Sequence, residues 1–198
     1  MAISTRGNAG GLIGPNAIIQ VANALQDRFG SSVIERIFTR AGLEPYAKAQ
    51  PLHMVREDHV AALHRELSES LGIASAEAVL WEAGLCTADY LLANRIPKAV
   101  QWLLRRLPAR LASRLLLTAI SRHAWTFAGS GSFHAEAGMP VRIRILNDAL
   151  ALGGASAPAS SYFRAVFERL YRRLVAPGAR AIADADGVRP GCSFLIVW

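Results

Sequence analysis

Arg122-His123-Ala124-Trp125-Thr126-Phe127-Ala128-Gly129-Ser130-Gly131-Ser132-Phe133 is the stretch where the chain turns from helix to strand. Segments before it carry helical periodicity, and most segments after it carry the period-2 pattern of strands. Trp125 and Phe127 alternate with Ala124, Thr126 and Ala128, which predicts a half-buried strand. Gly129-Ser130-Gly131 gives the backbone freedom of a tight reversal, and Phe133 opens the returning strand. The expectation is a hairpin whose aromatic face (Trp125, Phe127, Phe133) meets the helical half. Such a junction is either plain core or the wall of a pocket for a flat, apolar ligand.

Upstream, Pro15 stands at a first helical position, and Ile18, Ile19, Ala22 and Leu25 follow at helical spacing. Ser32 and Glu35 have the spacing of a capping box for a second helix, which Gly42 ends, and a loop is expected through Pro51. A third helix is expected over 56–71, with Glu57 and Asp58 in its first turn. The fourth, over 76–94, is apolar around most of its circumference and so is predicted to be buried on more than one side. Gly84 in its middle costs about 1 kcal/mol against Ala, which implies a close approach, either of a crossing helix or of a planar ligand. After Pro97 come two basic amphipathic pieces, over 98–107 and 108–121. Each suits either a packed helix with a solvated Arg face or a helix lying on an anionic membrane surface.

Downstream, Val141-Arg142-Ile143-Arg144-Ile145 alternates strictly and is the clearest strand. An Ala/Gly/Ser-rich link from Gly153 to Ser160 leads to a helix over 161–175. Strands over 180–183 and 193–198 close the chain, joined through Asp184-Ala185-Asp186-Gly187 and Pro190-Gly191. The fold class is therefore α+β, with N-terminal helices packed on one antiparallel β-sheet and a helix inserted between strands. The Gly-rich residues 1–13 read as a flexible arm, and 14–198 as a single domain with a helical part (14–122) and a sheet part (123–198).

Composition bounds the function. The 198 residues are 52% hydrophobic and 19% charged, which excludes a disordered chain. The net charge is +7, and its placement is informative. Between Tyr90 and Ala135 lie seven basic residues and no acid, while the rest of the chain holds 15 basic and 15 acidic residues. The whole excess sits in one block, which points to a local anionic partner. No helix-turn-helix or RNA-binding aromatic motif accompanies it, so nucleic acid is not the expected partner despite a pI near 10.2. The amino terminus lacks the apolar segment of a signal peptide, and no apolar run approaches the roughly 18 residues that span a bilayer. With only Cys86 and Cys192, no disulfide framework and no four-thiolate iron–sulfur cluster is expected. The expected location is cytoplasmic, with attachment to the periphery of a membrane as a second station.

Three segments carry a family resemblance: Gly14-Pro15-Asn16-Ala17-Ile18-Ile19-Gln20, Thr87-Ala88-Asp89-Tyr90-Leu91-Leu92-Ala93-Asn94-Arg95-Ile96-Pro97, and Arg122 to Gly131 of the opening stretch. Their order and wording resemble the bacteriochlorophyll 4-vinyl reductase family, whose members carry the vinyl-4-reductase domain. That domain is similar in fold to haem–nitric-oxide-binding domains and to small subunits of the transport-protein-particle complex, where helices on one side of a curved sheet enclose a ligand pocket. The family name implies reduction of the 8-vinyl (formerly 4-vinyl) group of a divinyl chlorophyll precursor. The residues give that chemistry little support. Hydride delivery needs a nicotinamide, a flavin or a cluster, and no strand–GxGxxG–helix unit or metal-ligand spacing is present.

The expected function is accordingly a tetrapyrrole-binding or carrier protein of bacteriochlorophyll biosynthesis, with no intrinsic cofactor and a magnesium tetrapyrrole as its bound ligand. Magnesium protoporphyrin and protochlorophyllide are the expected ligands, and the pathway enzymes are the expected partners. Vinyl reductase and ligand-free interaction module are the alternatives, and a homodimer is compatible with each. A magnesium porphyrin is flat and apolar, its propionates suit Arg forks, and its metal accepts one axial ligand. The candidate ligand-binding residues are His123, Trp125, Phe127, Phe133, Tyr90, Arg95, Arg110 and Arg114. His123, placed by strand alternation on the face of Trp125 and Phe127, is the candidate axial ligand to magnesium. Tyr90 and Arg95 are chosen on the family-like segment.

Overall fold

The alternation at Val141–Leu146 does form a strand, and the sheet is built around it. In this computed structural model, which describes residues 2–6, 11–146, 156–184 and 191–198, the chain begins with β1 (Ala2–Arg6) and β2 (Leu12–Ile13). The helical half follows as α1 (Asn16–Phe29), α2 (Ser31–Arg40) and α3 (Glu44–Lys48), then β3 (Val55–Arg56), α4 (Glu57–Leu71), α5 (Ile73–Asn94), α6 (Lys98–Arg106) and α7 (Ala109–Arg122). A single 3₁₀ turn, Ala124–Thr126, leads into β4 (Ser132–Glu136), β5 (Val141–Leu146), α8 (Ser156–Leu174), β6 (Arg180–Ala183) and β7 (Gly191–Val197). Five strands form one antiparallel sheet in the order β1-β4-β5-β7-β6, and β2 pairs with β3 as a separate ribbon.

Period-2 alternation sets the sheet's faces. Phe133 and Ala135 of β4, Val141, Ile143 and Ile145 of β5, and Cys192, Phe194 and Ile196 of β7 all point inward and are buried. Arg142 and Arg144 lie on the opposite face, where Arg144 meets Glu136 of β4 at 2.9 Å. Helix α8 lies against the inner face and is covered in turn by α5, so it is apolar on two sides, burying Phe167 and Tyr171 with Phe163 and Leu174. The α5–α8 contact explains Gly84: a Cβ there would overlap the carbonyl oxygen of Tyr162 and sit 2.8 Å from the Ala165 Cβ. The close approach is therefore a helix crossing.

Several expectations are corrected. Residues 124–126 form a 3₁₀ turn, not a strand, and Gly129-Ser130-Gly131 joins that turn to β4. The hairpin lies one step later, between β4 and β5. The Ser32–Glu35 capping box does not form, because α2 starts at Ser31 behind Gly30, whose φ of 82° reverses the chain directly out of α1. The expected loop before Pro51 contains α3, and α8 begins at Ser156 instead of Ser161. Residues read as a flexible arm supply both β1, on the sheet edge beside β4, and β2. Of the expected connections, Gly153 to Ala155 of the first link, and Ala185 to Pro190 of the second, lie outside the described residues.

Candidate functional site

Helix α7 owes its position to the proline before it. Pro108 holds Leu107 in an extended conformation (ψ 152°), which ends α6 at Arg106 and restarts the helix at Ala109. Ala112, Leu116 and Leu117 then face the core, and Arg110 and Arg114, four residues apart, share the outward side. Beside them opens a groove of about 320 Å³ lined by Arg110, Ser113, Arg114, the β4–β5 turn (Ala137, Gly138, Met139) and Trp198. Its floor is held by hydrogen bonding and ring contact. The Ser113 Oγ lies 3.0 Å from the Tyr171 hydroxyl, and the Tyr171 ring leans on Trp198 with centroids 5.7 Å apart. Burial pushes the Tyr171 hydroxyl above its usual range, partly offset by Ser113, so the phenol stays neutral.

Neither Arg110 nor Arg114 has a carboxylate within salt-bridge distance among the described residues. Two unneutralised guanidinium forks lining a groove with an indole and a thioether suit a ligand that is apolar on its face and carboxylated at its edge. The groove is open on one side, so it would take an edge of such a molecule and leave the remainder outside.

The other expected site residues do not join this groove. Phe127 and Phe133 do come together, with ring centroids 5.5 Å apart, but inside the core. Phe133 stacks on Phe167 at 6.0 Å, and Phe167 meets Phe194 at 5.4 Å. These rings occupy the space between α8 and the sheet. Trp125 is 46% exposed on the 3₁₀ turn and does not share a face with Phe127. His123 caps the C-terminus of α7, exposed, with its Nδ1 3.0 Å from the carbonyl oxygen of Ala119. Nine residues beyond Arg114, it lies about 14 Å further along the helix axis. Tyr90, half-buried, and exposed Arg95 lie at the C-terminal end of α5, where the Arg95 amide donates to the Leu91 carbonyl.

The family-like segments have structural work of their own. The Gly14 amide donates to the Thr126 carbonyl at 2.7 Å, which ties the first segment to the third. Glu57, at the start of α4, accepts from the backbone amide and the hydroxyl of Ser130, both at 2.7 Å. Gly11 and Gly129, each at φ 57°, lie so close to that carboxylate that a Cβ on either would strike it. In the second segment, Thr87 hydrogen-bonds the Tyr162 hydroxyl at 2.9 Å, and Asp89 accepts two bonds from Arg169 at 2.9 and 2.8 Å. Burial raises the Tyr162 hydroxyl to about 12, with the Thr87 bond opposing the shift.

Sequence reasoning missed Ser113, Met139, Trp198 and the Ser113–Tyr171 bond, because the groove's walls come from segments far apart in the chain. It also missed His64 on α4, which is 1% exposed and has no hydrogen-bond partner at either ring nitrogen among the described residues. Burial lowers its pKa to about 4, so it is neutral. No cluster of three or more His, Cys, Asp or Glu suited to a metal ion occurs among the described residues. Among them, too, no helix is long and apolar enough to cross a membrane.

No family profile matches the chain. A full-length comparison is decisive: 42% of 185 aligned residues are identical to the bacteriochlorophyll synthase 23 kDa chain of Cereibacter sphaeroides, covering 92% of this chain and 88% of that one. The chain belongs to the family of the bacteriochlorophyll synthase 23 kDa chain. The Rhodobacter capsulatus protein of the same name is 41% identical over 165 residues, covering 83% of this chain and 76% of that relative. Among solved structures, an Fe(II) unliganded H-NOX protein mutant from K. algicida superposes with a TM-score of 0.60 over 93% of this chain and 96% of its own. At 14% identity that likeness concerns the fold alone, and it bears out the expected similarity in fold to haem–nitric-oxide-binding domains. The vinyl-reductase part of the resemblance finds no counterpart in these relatives' names.

Proposed function

We propose that this chain is a tetrapyrrole-binding accessory protein of bacteriochlorophyll biosynthesis, which holds the carboxylate edge of a magnesium porphyrin and presents it to enzymes of the pathway. The carrying observation is the groove, which Arg110 and Arg114, without an acidic partner among the described residues, line together with Trp198 and Met139. The relatives named as chains of bacteriochlorophyll synthase supply the pathway. Binding at an open groove fits a protein that must release its cargo, since an apolar face is shielded from water while the macrocycle stays reachable.

The test is an absorption and fluorescence titration with magnesium protoporphyrin, protochlorophyllide and their methyl esters. Saturable, one-to-one binding with shifted bands is expected for the free acids. Esterification, or the pair Arg110→Glu and Arg114→Glu, should weaken it at least tenfold. Equal affinity for acid and ester would overturn the carboxylate role, and no binding of any pigment would overturn the whole reading. A spectrum altered in His123→Ala would place the axial ligand on that side chain. Conversion of divinyl to monovinyl pigment in the presence of a reductant would replace the carrier reading with the reductase one.

A further inference from the structure

Helices α6 and α7 present an outward face that no element among the described residues covers. On α6, Trp102 is 58% and Leu103 47% exposed, and Val100, one turn before Leu103, is exposed as well. On α7, Leu111 and Leu115 stand exposed one turn apart. The inward side of α6 is firmly held. The Gln101 amide donates to the carbonyls of Leu92 and Ile96, and the Arg105 guanidinium donates to the Arg173 carbonyl at 2.9 Å. The exposed apolar residues are therefore fixed outward. They are not the loose side of a fraying helix.

Every charge that α6 and α7 carry is positive. Lys98 and Arg106 flank the exposed apolar residues of α6, with the Arg106 guanidinium 4.7 Å over the Trp102 ring, and neither α6 nor α7 contains an acid. Five large apolar residues exposed on two consecutive helices mark a protein or membrane contact. Charge decides between them. A continuous anionic plane engages all these cations at once, while Trp and Leu enter the headgroup boundary beneath them. We infer that the α6–α7 face docks this protein peripherally on an anionic lipid bilayer. The groove with Arg110 and Arg114 begins on the same helix α7, so a docked protein would hold that opening near the membrane surface, where a poorly soluble pigment partitions.

Flotation of the full chain with vesicles of phosphatidylglycerol and phosphatidylcholine, against phosphatidylcholine alone, tests the inference. At least tenfold stronger partition onto the anionic vesicles is expected, falling as salt shortens the screening length from about 10 Å at 0.1 M. The double variant Trp102→Ser, Leu103→Ser should lose at least tenfold in binding with an unchanged far-UV spectrum. Trp125→Ser, an exposed indole on a different element, should bind as the parent does. Pigment titration of the double variant should be unaltered, which separates this face from the groove. Equal binding to both vesicle types, or undiminished binding of the double variant, overturns the inference. No binding to either vesicle also overturns it and assigns the face to a protein partner.

Discussion

Acidification should unfold this protein partly through one side chain. His64 of α4 is buried facing α8, its ring 6.3 Å from that of Tyr162, and neither nitrogen has a hydrogen-bond partner among the described residues. Burial lowers its pKa from 6.5 to about 4, a gap worth about 3 kcal/mol at ~1.4 kcal/mol per unit. The sign follows from linkage. The folded-state value lies below the unfolded one, so between the two the unfolded chain takes up a proton that the folded chain refuses. The full contribution is present above about pH 6.5, declines as pH falls, and is gone once pH passes through the folded value near 4. Against a total stability of roughly 5–15 kcal/mol for a domain, that loss is large. The assay is urea unfolding by circular dichroism from about pH 7.5 to about pH 5, for the parent and for His64→Leu. Carboxylate titrations common to both proteins cancel in the difference. The parent should lose about 2 kcal/mol more than the variant over that range. At neutral pH His64→Leu should match or exceed the parent, since it removes two unpaired polar atoms worth about 1–3 kcal/mol each when buried. Parallel stability curves would refute the reasoning, and would mean that the ring is solvated or paired in solution.

Two further outcomes follow from contacts described above. Gly84→Ala gains about 1 kcal/mol of helix propensity but drives a methyl into the Tyr162 carbonyl and the Ala165 side chain, at an overpacking cost of about 1–3 kcal/mol. The net effect should be a lower Tm by differential scanning calorimetry, and a higher one would show that the α5–α8 crossing is loose. Glu57→Ala removes both acceptors of Ser130 and should cost about 1–2 kcal/mol. Hydrogen exchange should quicken at the Ser130 amide before it quickens in α8, whereas uniform quickening would show that the carboxylate clamps the whole fold.

The fold was legible wherever a pattern ran long enough to exclude its rival. Five alternating residues at Val141 to Ile145 could only be a strand, and the all-round apolar surface of α5 could only be a helix covered twice. The alternation of Trp125 and Phe127 spans three residues, too few to separate period 2 from a single helical turn. Phe127 turned inward to the other phenylalanines while Trp125 turned out. β1 was hidden for another reason. It is fixed by backbone pairing to β4, more than a hundred residues away, and local pattern does not report such a partner. The candidate site divides the same way. The Arg110–Arg114 pair was visible as an acid-free block with helical spacing, but Met139 and Trp198, which complete the groove, come from other elements.

The basic block read from the sequence as one signal separates in space into three uses. Arg105 is spent on anchoring α6 to the end of α8, through the Arg173 carbonyl. Arg110 and Arg114 face the groove, and Lys98 with Arg106 borders exposed Trp102 and Leu103. The same separation explains why the aromatic stretch at residues 122–133 does not itself form the pocket. With Phe127 and Phe133 committed to the core beneath α8, a planar ligand entering there would have to displace rings that also hold the sheet to the helices. Losing one such ring costs about 3–5 kcal/mol when it is truncated in a core, a large share of a domain's stability. A groove on the outer side of α7 asks for no such exchange. An occupant of the proposed kind would need only to shed water from Trp198 and to neutralise two arginines that have no acidic partner among the described residues, so binding and release would not require opening the domain.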